Sequence, residues 1–333
     1  MPSRVSKAKA PSAASSADLW KQLPSEIQLQ VLTRLCRNRS KLLKQEFPEV
    51  LSVGVGHKMT AGERLSTLCL GFLVLHKADS GKQLPQTIRT TIKIDGRGRQ
   101  VYVPTDVEEL ADSGPHLATN AATGILVVSA SESAIRGTGA VCCLVRAQGQ
   151  PDLFALSCHH VLTLSPKVGG CHIVIDALVS DRQGVPFGQL FEAVPMAPQQ
   201  PSQIDAALAR IEVGSTVRWV HSGMQPSSVD MGLSEPQDCT IYAPGRLVNA
   251  VYVKTWPEVQ LPYPGCGDVQ IVCAYQFQAA TQPGDSGSPV IGVDGTLYGM
   301  HFWGSPFSNF AMAIPAGYLF GPGVFHVGTL ELA

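Results

Sequence analysis

The sequence predicts a mainly β protein with a small α+β region at its N-terminal end. Gly (32) and Pro (24) are spread through the 333 residues without a period, which excludes collagen-like and low-complexity chains and favours a turn-rich fold. Beyond about residue 120, short apolar runs alternate with Gly, Pro, Asp and Ser turns, and no long helical pattern intervenes. Charged residues make up only 15% of the chain against 44% hydrophobic, too little charge for a disordered or coiled-coil scaffold. The 25 basic and 26 acidic side chains leave a net charge of −1. The whole chain therefore carries no electrostatic footprint for nucleic acid or an anionic membrane.

Taken in order, residues 1–17 are Ser, Ala, Lys and Pro with little to bury, a disordered leader by composition. A first region is expected over 18–115 and a second over 116–333. Pro24-Ser25-Glu26 opens a helix whose Ile27, Val31, Leu32 and Leu35 share one face. A second turn or two runs from Ser40 to Phe47 and stops at Pro48. Leu51, Val53 and Val55 then alternate, as do Leu68, Leu70, Phe72 and Val74, the period of strands. Residues 92–103 read as a hairpin with a Gly-containing turn. Ten strand candidates follow, at 125–128, 139–145, 153–156, 172–174, 206–211, 251–253, 270–275, 289–293, 297–302 and 310–314. Short strands at this density predict a sandwich or a pair of barrels.

No run approaches the roughly 18 apolar residues of a membrane span, and no apolar signal-peptide core follows the basic N-terminus. Nine cysteines, an odd and irregular set, include no zinc-type Cys-x-x-Cys pair. They predict reduced, mostly buried thiols in a cytoplasmic protein without metal or cofactor.

Three stretches carry chemistry. Ala155-Leu156-Ser157-Cys158-His159-His160-Val161-Leu162 sets a His pair after a strand. Ile204-Asp205-Ala206-Ala207-Leu208 places an acid at the mouth of an apolar strand. Gln282-Pro283-Gly284-Asp285-Ser286-Gly287-Ser288-Pro289 holds a serine between glycines. Nucleophilic acyl transfer needs a hydroxyl, a base near neutral pKa and a carboxylate that fixes the base's tautomer. It also needs backbone N–H groups aimed at the developing oxyanion, which a glycine turn can supply.

These segments resemble the trypsin/chymotrypsin-like serine peptidases. Gly284-Asp285-Ser286-Gly287-Ser288-Pro289 is similar to that family's nucleophile motif, which implies Ser286 as nucleophile and the N–H groups of Gly284 and Ser286 as the oxyanion hole. Cys158-His159-His160-Val161 resembles the base segment and Asp205-Ala206-Ala207-Leu208 the acid segment, in the family's order and with 45 residues between His160 and Asp205. Gly137-Thr138-Gly139-Ala140-Val141 is similar to the strand that opens the family's first barrel. The resemblance covers about residues 120–325 and implies a double β-barrel with protein or peptide substrates. The Val53-Gly54-Val55-Gly56 lead-in is similar to that of bacterial and plant members, where the segment packs, regulates or recruits partners. His57 reads as a strand or loop residue.

Each site residue has a competitor. His159 adjoins His160, but the match puts the base immediately before Val161, and neighbours on extended chain point apart. Asp176 mimics the Asp205 motif, yet lies only 16 residues past His160. Cys142, Cys143 and Cys158 read as core thiols. Val161 stands where secreted animal members carry cysteine, which the resemblance reads as a non-secreted protein. No cleavage-type Ile-Val-Gly-Gly start exists to pair with Asp285, which is expected to take an internal partner.

Specificity is read from the nucleophile's flanks. Ala280 stands six positions before Ser286, where the family's Lys/Arg-cutting members carry an acid. A cationic side chain there would be desolvated without a partner. Thr281 and the Gly299-Met300-His301-Phe302-Trp303-Gly304 strand resemble the pocket of glutamyl endopeptidases and picornavirus-type proteases, which implies a preference for Glu or Gln before the scissile bond. The alternative is an apolar pocket over a core His301. Two rival functions remain: a catalytically silent module binding peptides along residues 302–304 by strand addition, and an esterase.

Overall fold

The structure, a computed structural model, describes residues 16–77, 84–94, 96–110, 112–115, 125–128, 135–163, 178–180, 186–198, 200–201, 203–212, 225–232, 235–263 and 266–333. It opens with two helices, α1 (Ser16–Gln22) and α2 (Ser25–Glu46). The first fell within and beyond the expected leader; the remainder of that leader, 1–15, lies outside the described residues. Helix α2 is one element rather than two, and at Ser40 the hydroxyl donates back to the Cys36 carbonyl without interrupting it. Val31, Leu32 and Leu35 are buried on one face as expected, with one exception at its start. Ile27 is exposed, and Gln28 turns inward to donate to the Trp20 and Leu23 carbonyls at the end of α1, supplying partners that a helix C-terminus otherwise lacks.

Strands β1 (Val50–Thr60) and β2 (Glu63–Val74) form an antiparallel pair. Strands β3 (Thr87–Ile94) and β4 (Arg97–Glu109) form the expected hairpin, and β4 runs parallel to β2. The helices cover this sheet through a cluster that includes Trp20, Leu32, Phe72 and Val103. A two-residue strand, β5 (Gly114–Pro115), follows.

The next eight elements are β6 (Ile125–Val128), β7 (Ile135–Gly139), β8 (Cys143–Ala147), β9 (Leu153–Ser157), the single-turn helix α3 (His159–Leu162), β10 (Leu178–Ser180), β11 (Pro186–Ala193) and β12 (Ala207–Ile211). The expected strand over 139–145 divides. At Ala140 the backbone N–H turns to the Ser286 carbonyl, and at Cys142 it turns to Leu156. The 172–174 candidate lies outside the described residues.

Then come β13 (Ser228–Val229), β14 (Cys239–Ala243), β15 (Arg246–Trp256), β16 (Val259–Tyr263), β17 (Gly267–Ile271), β18 (Ala274–Gln278), β19 (Pro289–Gly292), β20 (Thr296–Ser305), β21 (Phe310–Pro315), the short helix α4 (Ala316–Leu319) and β22 (Leu330–Leu332). The 270–275 candidate also divides, because the N–H of Val272 leaves the ladder for the Gln203 carbonyl. Strand order β14-β19-β20-β21-β18-β15, with β15 returning to β14, closes a six-stranded barrel. The other large sheet runs β22-β8-β9-β12-β11-β10-β6-β7, so the last strand of the chain returns to the first half. One apolar cluster joins both halves, from Cys142 and Leu156 to Trp256, Met300 and Phe320. The protein is mainly β, as its sequence predicts.

The N-terminal sheet is continuous with the barrel, because β1 pairs antiparallel with β15. Beneath that junction the fully buried Lys254 ammonium meets Asp106 at 2.7 Å and Glu108 at 2.6 Å. Burial works to lower its pKa, but the facing carboxylates outweigh burial and hold it above its ordinary value. His57 sits on β1 with Nδ1 against the Leu65 carbonyl at 3.0 Å, a strand residue as expected.

The thiols need a correction. Seven described cysteines are free and buried, but Cys266 is disulfide-bonded. The cysteines are therefore not the wholly reduced set expected, and they do not by themselves point to a reducing compartment. Among the described residues, no helix is long and apolar enough to cross a membrane.

Candidate active site

The site forms where α3, the approach to β12 and the turn before β19 meet. Strand β9 pairs with β12 so that Ser157 lies opposite Ala207. Asp205, two residues before Ala207, therefore stands beside the first turn of α3. Its carboxylate is fully buried and its two oxygens are engaged. Oδ1 accepts the backbone N–H of His160 at 3.1 Å, and Oδ2 accepts Nδ1–H of His160 at 2.5 Å. A carboxylate can only accept, so the proton lies on Nδ1 and Nε2 keeps its lone pair. Nε2 is buried and has no hydrogen-bond partner among the described residues.

Oδ2 of Asp205 also accepts the Tyr263 hydroxyl at 2.7 Å. No local motif marks this residue. Tyr263 arrives from β16, and only the closing of the second half brings it to the acid. Its ring lies 6.1 Å from the His160 ring and 5.2 Å from that of Trp303. Burial alone would raise the Asp205 pKa, but His160, with help from Tyr263, outweighs it and holds the carboxyl below its ordinary value.

Ser286 lies in the turn Gln282–Ser288. The Asp285 N–H donates to Gln282 O at 3.1 Å and the Ser288 N–H to Asp285 O at 3.0 Å. Glycine is required here: Gly284 has φ +97° and Gly287 φ +91°, and a Cβ on Gly287 would stand 2.0 Å from the Ala140 carbonyl oxygen. The turn is fixed to both halves. Ser286 O accepts the Ala140 N–H at 2.7 Å, and the Gly287 N–H donates to His301 O at 2.8 Å. A Cβ on Gly139 would meet Val161 at 2.6 Å and Ser286 O at 2.7 Å, so the His160 segment and the serine turn close on one another. The Ser286 hydroxyl donates to Phe302 O at 3.2 Å.

Asp285 has the internal partner that the sequence left open. Arg246 pairs with it from the start of β15 and also donates to Ala280 O at 3.0 Å. Burial pushes the Asp285 carboxyl up to about 6.

The competitors fall elsewhere. His159 is buried and donates from Nδ1 to the Val194 carbonyl at 2.8 Å, and burial lowers its pKa. Asp176 lies outside the described residues. Cys158 has ligand-type atoms within 4.8 Å of those of His160 and Asp205. Burial holds its thiol protonated, and the other atoms already serve the His–Asp pair, so the cluster is poorly suited to a cation.

The pocket candidates separate. Ala280 is exposed, whereas Thr281 is buried with Oγ1 unpartnered among the described residues. His301 and Phe302 are fully buried in β20, and His301 Nδ1 donates to Met312 O at 3.1 Å. No hydrogen bond joins Thr281 to His301. Trp303 is fully buried, and Gly304 follows it at the rim of the strand.

A comparison with solved structures finds proteases among its matches, at low structural overlap. Among the matches are Thermobifida fusca Protease A (13% identity, 63% of this chain and 98% of that chain, TM-score 0.42), the active form of the Rv3671c protease from M. tuberculosis (18%, 63% and 82%, 0.36) and a Cellulomonas bogoriensis chymotrypsin (11%, 59% and 90%, 0.35). No family model and no curated protein matches the sequence.

Proposed function

We propose that the chain is a serine endopeptidase that hydrolyses peptide bonds through an acyl-enzyme. The observation that carries the reading is the fully buried Asp205 carboxylate holding Nδ1–H of His160 at 2.5 Å, which leaves Nε2 as the basic nitrogen. In this reading Ser286 Oγ attacks the scissile carbonyl and His160 Nε2 takes its proton. The same imidazolium then protonates the leaving amine, and water repeats the cycle on the ester. Asp205 stays ionised throughout, orienting the ring and stabilising its charge. The Gly284 and Ser286 N–H groups are assigned to the oxyanion. Nε2 of His160 has no hydrogen-bond partner among the described residues, and catalytic hydrogen bonds of this kind often form only when substrate binds.

The finer proposal is a preference for Glu or Gln before the scissile bond. In this proposal the His301 imidazole holds the Glu or Gln side chain, and its protonation would favour Glu over Gln. The Thr281 hydroxyl, buried and unpartnered among the described residues, is assigned the second polar contact.

Fluorophosphonate labelling tests the hydrolase reading, and a peptide library tests the rest. Ser286→Ala or His160→Ala should lower kcat/KM by about 10⁴-fold or more, because the residues act as a unit, while His159→Ala should lose far less. Turnover that survives Ser286→Ala would refute the assignment. Activated-ester hydrolysis without peptide cleavage would favour the esterase, and an unlabelled but peptide-binding protein would favour the silent module. For specificity, a preference for Leu, Phe or Arg that persists in His301→Ala would overturn the Glu/Gln proposal.

A further inference from the structure

The N-terminal region ends on the active site. After β4 the chain anchors at Leu110, which is buried within the cluster that joins both halves and also holds Trp303. A tight turn follows, with the Ser113 N–H donating to Leu110 O at 3.1 Å and Asp112 at φ +58°. Left-handed backbone at a non-glycine residue persists only where its surroundings hold it there. Here they do. The Ser113 hydroxyl donates to the Leu110 carbonyl and accepts the Trp303 indole N–H at 2.9 Å.

Strand β5 then pairs antiparallel with β20, Gly114 opposite Gly304 and Pro115 opposite Trp303. Along β20, one edge belongs to β21. On the other, β19 ends opposite Met300, and at Trp303–Gly304 the paired strand among the described residues is β5. This is the stretch next to Phe302, whose carbonyl accepts the Ser286 hydroxyl. A peptide docking beside the nucleophile by strand addition needs that same backbone edge. The antiparallel sense directs the C-terminal end of Ser113–Pro115 toward Phe302 and Ser286.

We propose that Ser113–Pro115 is a built-in occupant of the substrate strand, a strap that closes this site to peptides in trans until it is displaced. The inference rests on the peptidase reading above. The strap is a weak ligand by chemistry, since Gly114 has no side chain and Pro115 no N–H. It competes through its tether, which makes its binding intramolecular and its effective concentration high. An incoming peptide then binds with an affinity reduced by the fraction of molecules whose strap is lifted.

The test uses the full chain and Gly114→Pro, which removes one backbone donor from the strap. A Cβ at this position would meet nothing within 4 Å, so the strain of the substitution is confined to the ring carbon that replaces the N–H. Peptide kcat/KM should rise about fivefold or more through a lower KM, the worth of one net backbone hydrogen bond. Labelling by a small fluorophosphonate, which does not need the strand, should keep its rate. A synthetic hexapeptide with the sequence of residues 110–115 (Leu-Ala-Asp-Ser-Gly-Pro) should inhibit the variant more strongly than the wild type. Ser113→Ala, which takes the acceptor from Trp303, should move KM the same way if Gly114→Pro fails to fold. An unchanged KM, or equal inhibition of both proteins by the hexapeptide, overturns the strap.

If neither protein is labelled by the fluorophosphonate, the peptidase reading fails, and binding alone decides the strap. Calorimetry with the hexapeptide would then compare Ser286→Ala with Ser286→Ala/Gly114→Pro. Tighter binding by the double variant supports the strap, and equal affinity refutes it.

Discussion

Replacing Tyr263 by Phe removes a single oxygen from the site and keeps the ring that packs between His160 and Trp303. That oxygen donates to Asp205 Oδ2 at 2.7 Å, the same carboxylate oxygen that holds Nδ1 of His160. A hydrogen bond to a charged group contributes about 1.5–3 kcal/mol. Tyr263 is nearly inaccessible and Asp205 fully so, which leaves little chance for solvent to replace the bond. If the whole loss appeared as weaker orientation of the base, kcat/KM would fall roughly 10- to 150-fold at 1.36 kcal/mol per decade. The pH profile makes the measurement diagnostic. Burial works to raise the Asp205 pKa, and the Tyr263 hydroxyl is one of the groups that oppose it, so its removal should move the acid limb of kcat/KM to higher pH. Steady-state kinetics on a fluorogenic peptide across the pH range, with circular dichroism as a check of folding, gives both readouts. A Tyr263→Phe enzyme with wild-type kcat/KM and an unmoved acid limb would refute the positioning role.

Two further outcomes follow from groups near the site. Asp285 titrates at about 6 in the folded chain against an ordinary 3.8, so the fold favours its neutral form. The stability from that neutral form is full below about pH 3.8 and is lost as pH rises through 6. Thermal midpoints of the wild type and Asp285→Asn should therefore diverge between about pH 4 and 7, the wild type losing about 3 kcal/mol relative to the variant, whereas parallel curves would refute the raised value. Cys266→Ser, or dithiothreitol, should lower the thermal midpoint, since losing a native disulfide costs about 2–5 kcal/mol; a midpoint unmoved by both would show that the bond contributes nothing.

The sequence was most informative where chemistry is local. The turn from Gly284 to Pro289 is specified by its own glycines, and the alternation at Leu68, Leu70, Phe72 and Val74 marks a strand without outside help. It was least informative where a neighbour decides. The strand expected over 139–145 breaks because Ala140 bonds the distant serine turn. Ile27 yields its place on the buried face of α2 because Gln28 has carbonyls to satisfy at the end of α1. Tyr263 and Ser113–Pro115 reach the site only through long-range closure, and neither carries a spacing that would announce it. Arg246 likewise stands 39 residues before Asp285, which it pairs with.

The buried Lys254 sets a limit on how this chain can be divided. Its ammonium belongs to β15, but Asp106 and Glu108, the carboxylates that neutralise it, are supplied by β4. Cutting away residues 18–115 would leave an ammonium beneath an opened sheet, and breaking a buried pair in this way is strongly destabilising. The same cut strips β1 from β15 and bares a strand edge, an invitation to pairing between molecules. It would also discard Ser113–Pro115. A shortened chain designed to isolate residues 116–333 would thus differ from the intact protein in solubility and in the openness of the β20 edge together, and any turnover by the few molecules that stay dissolved would say little about the intact protein.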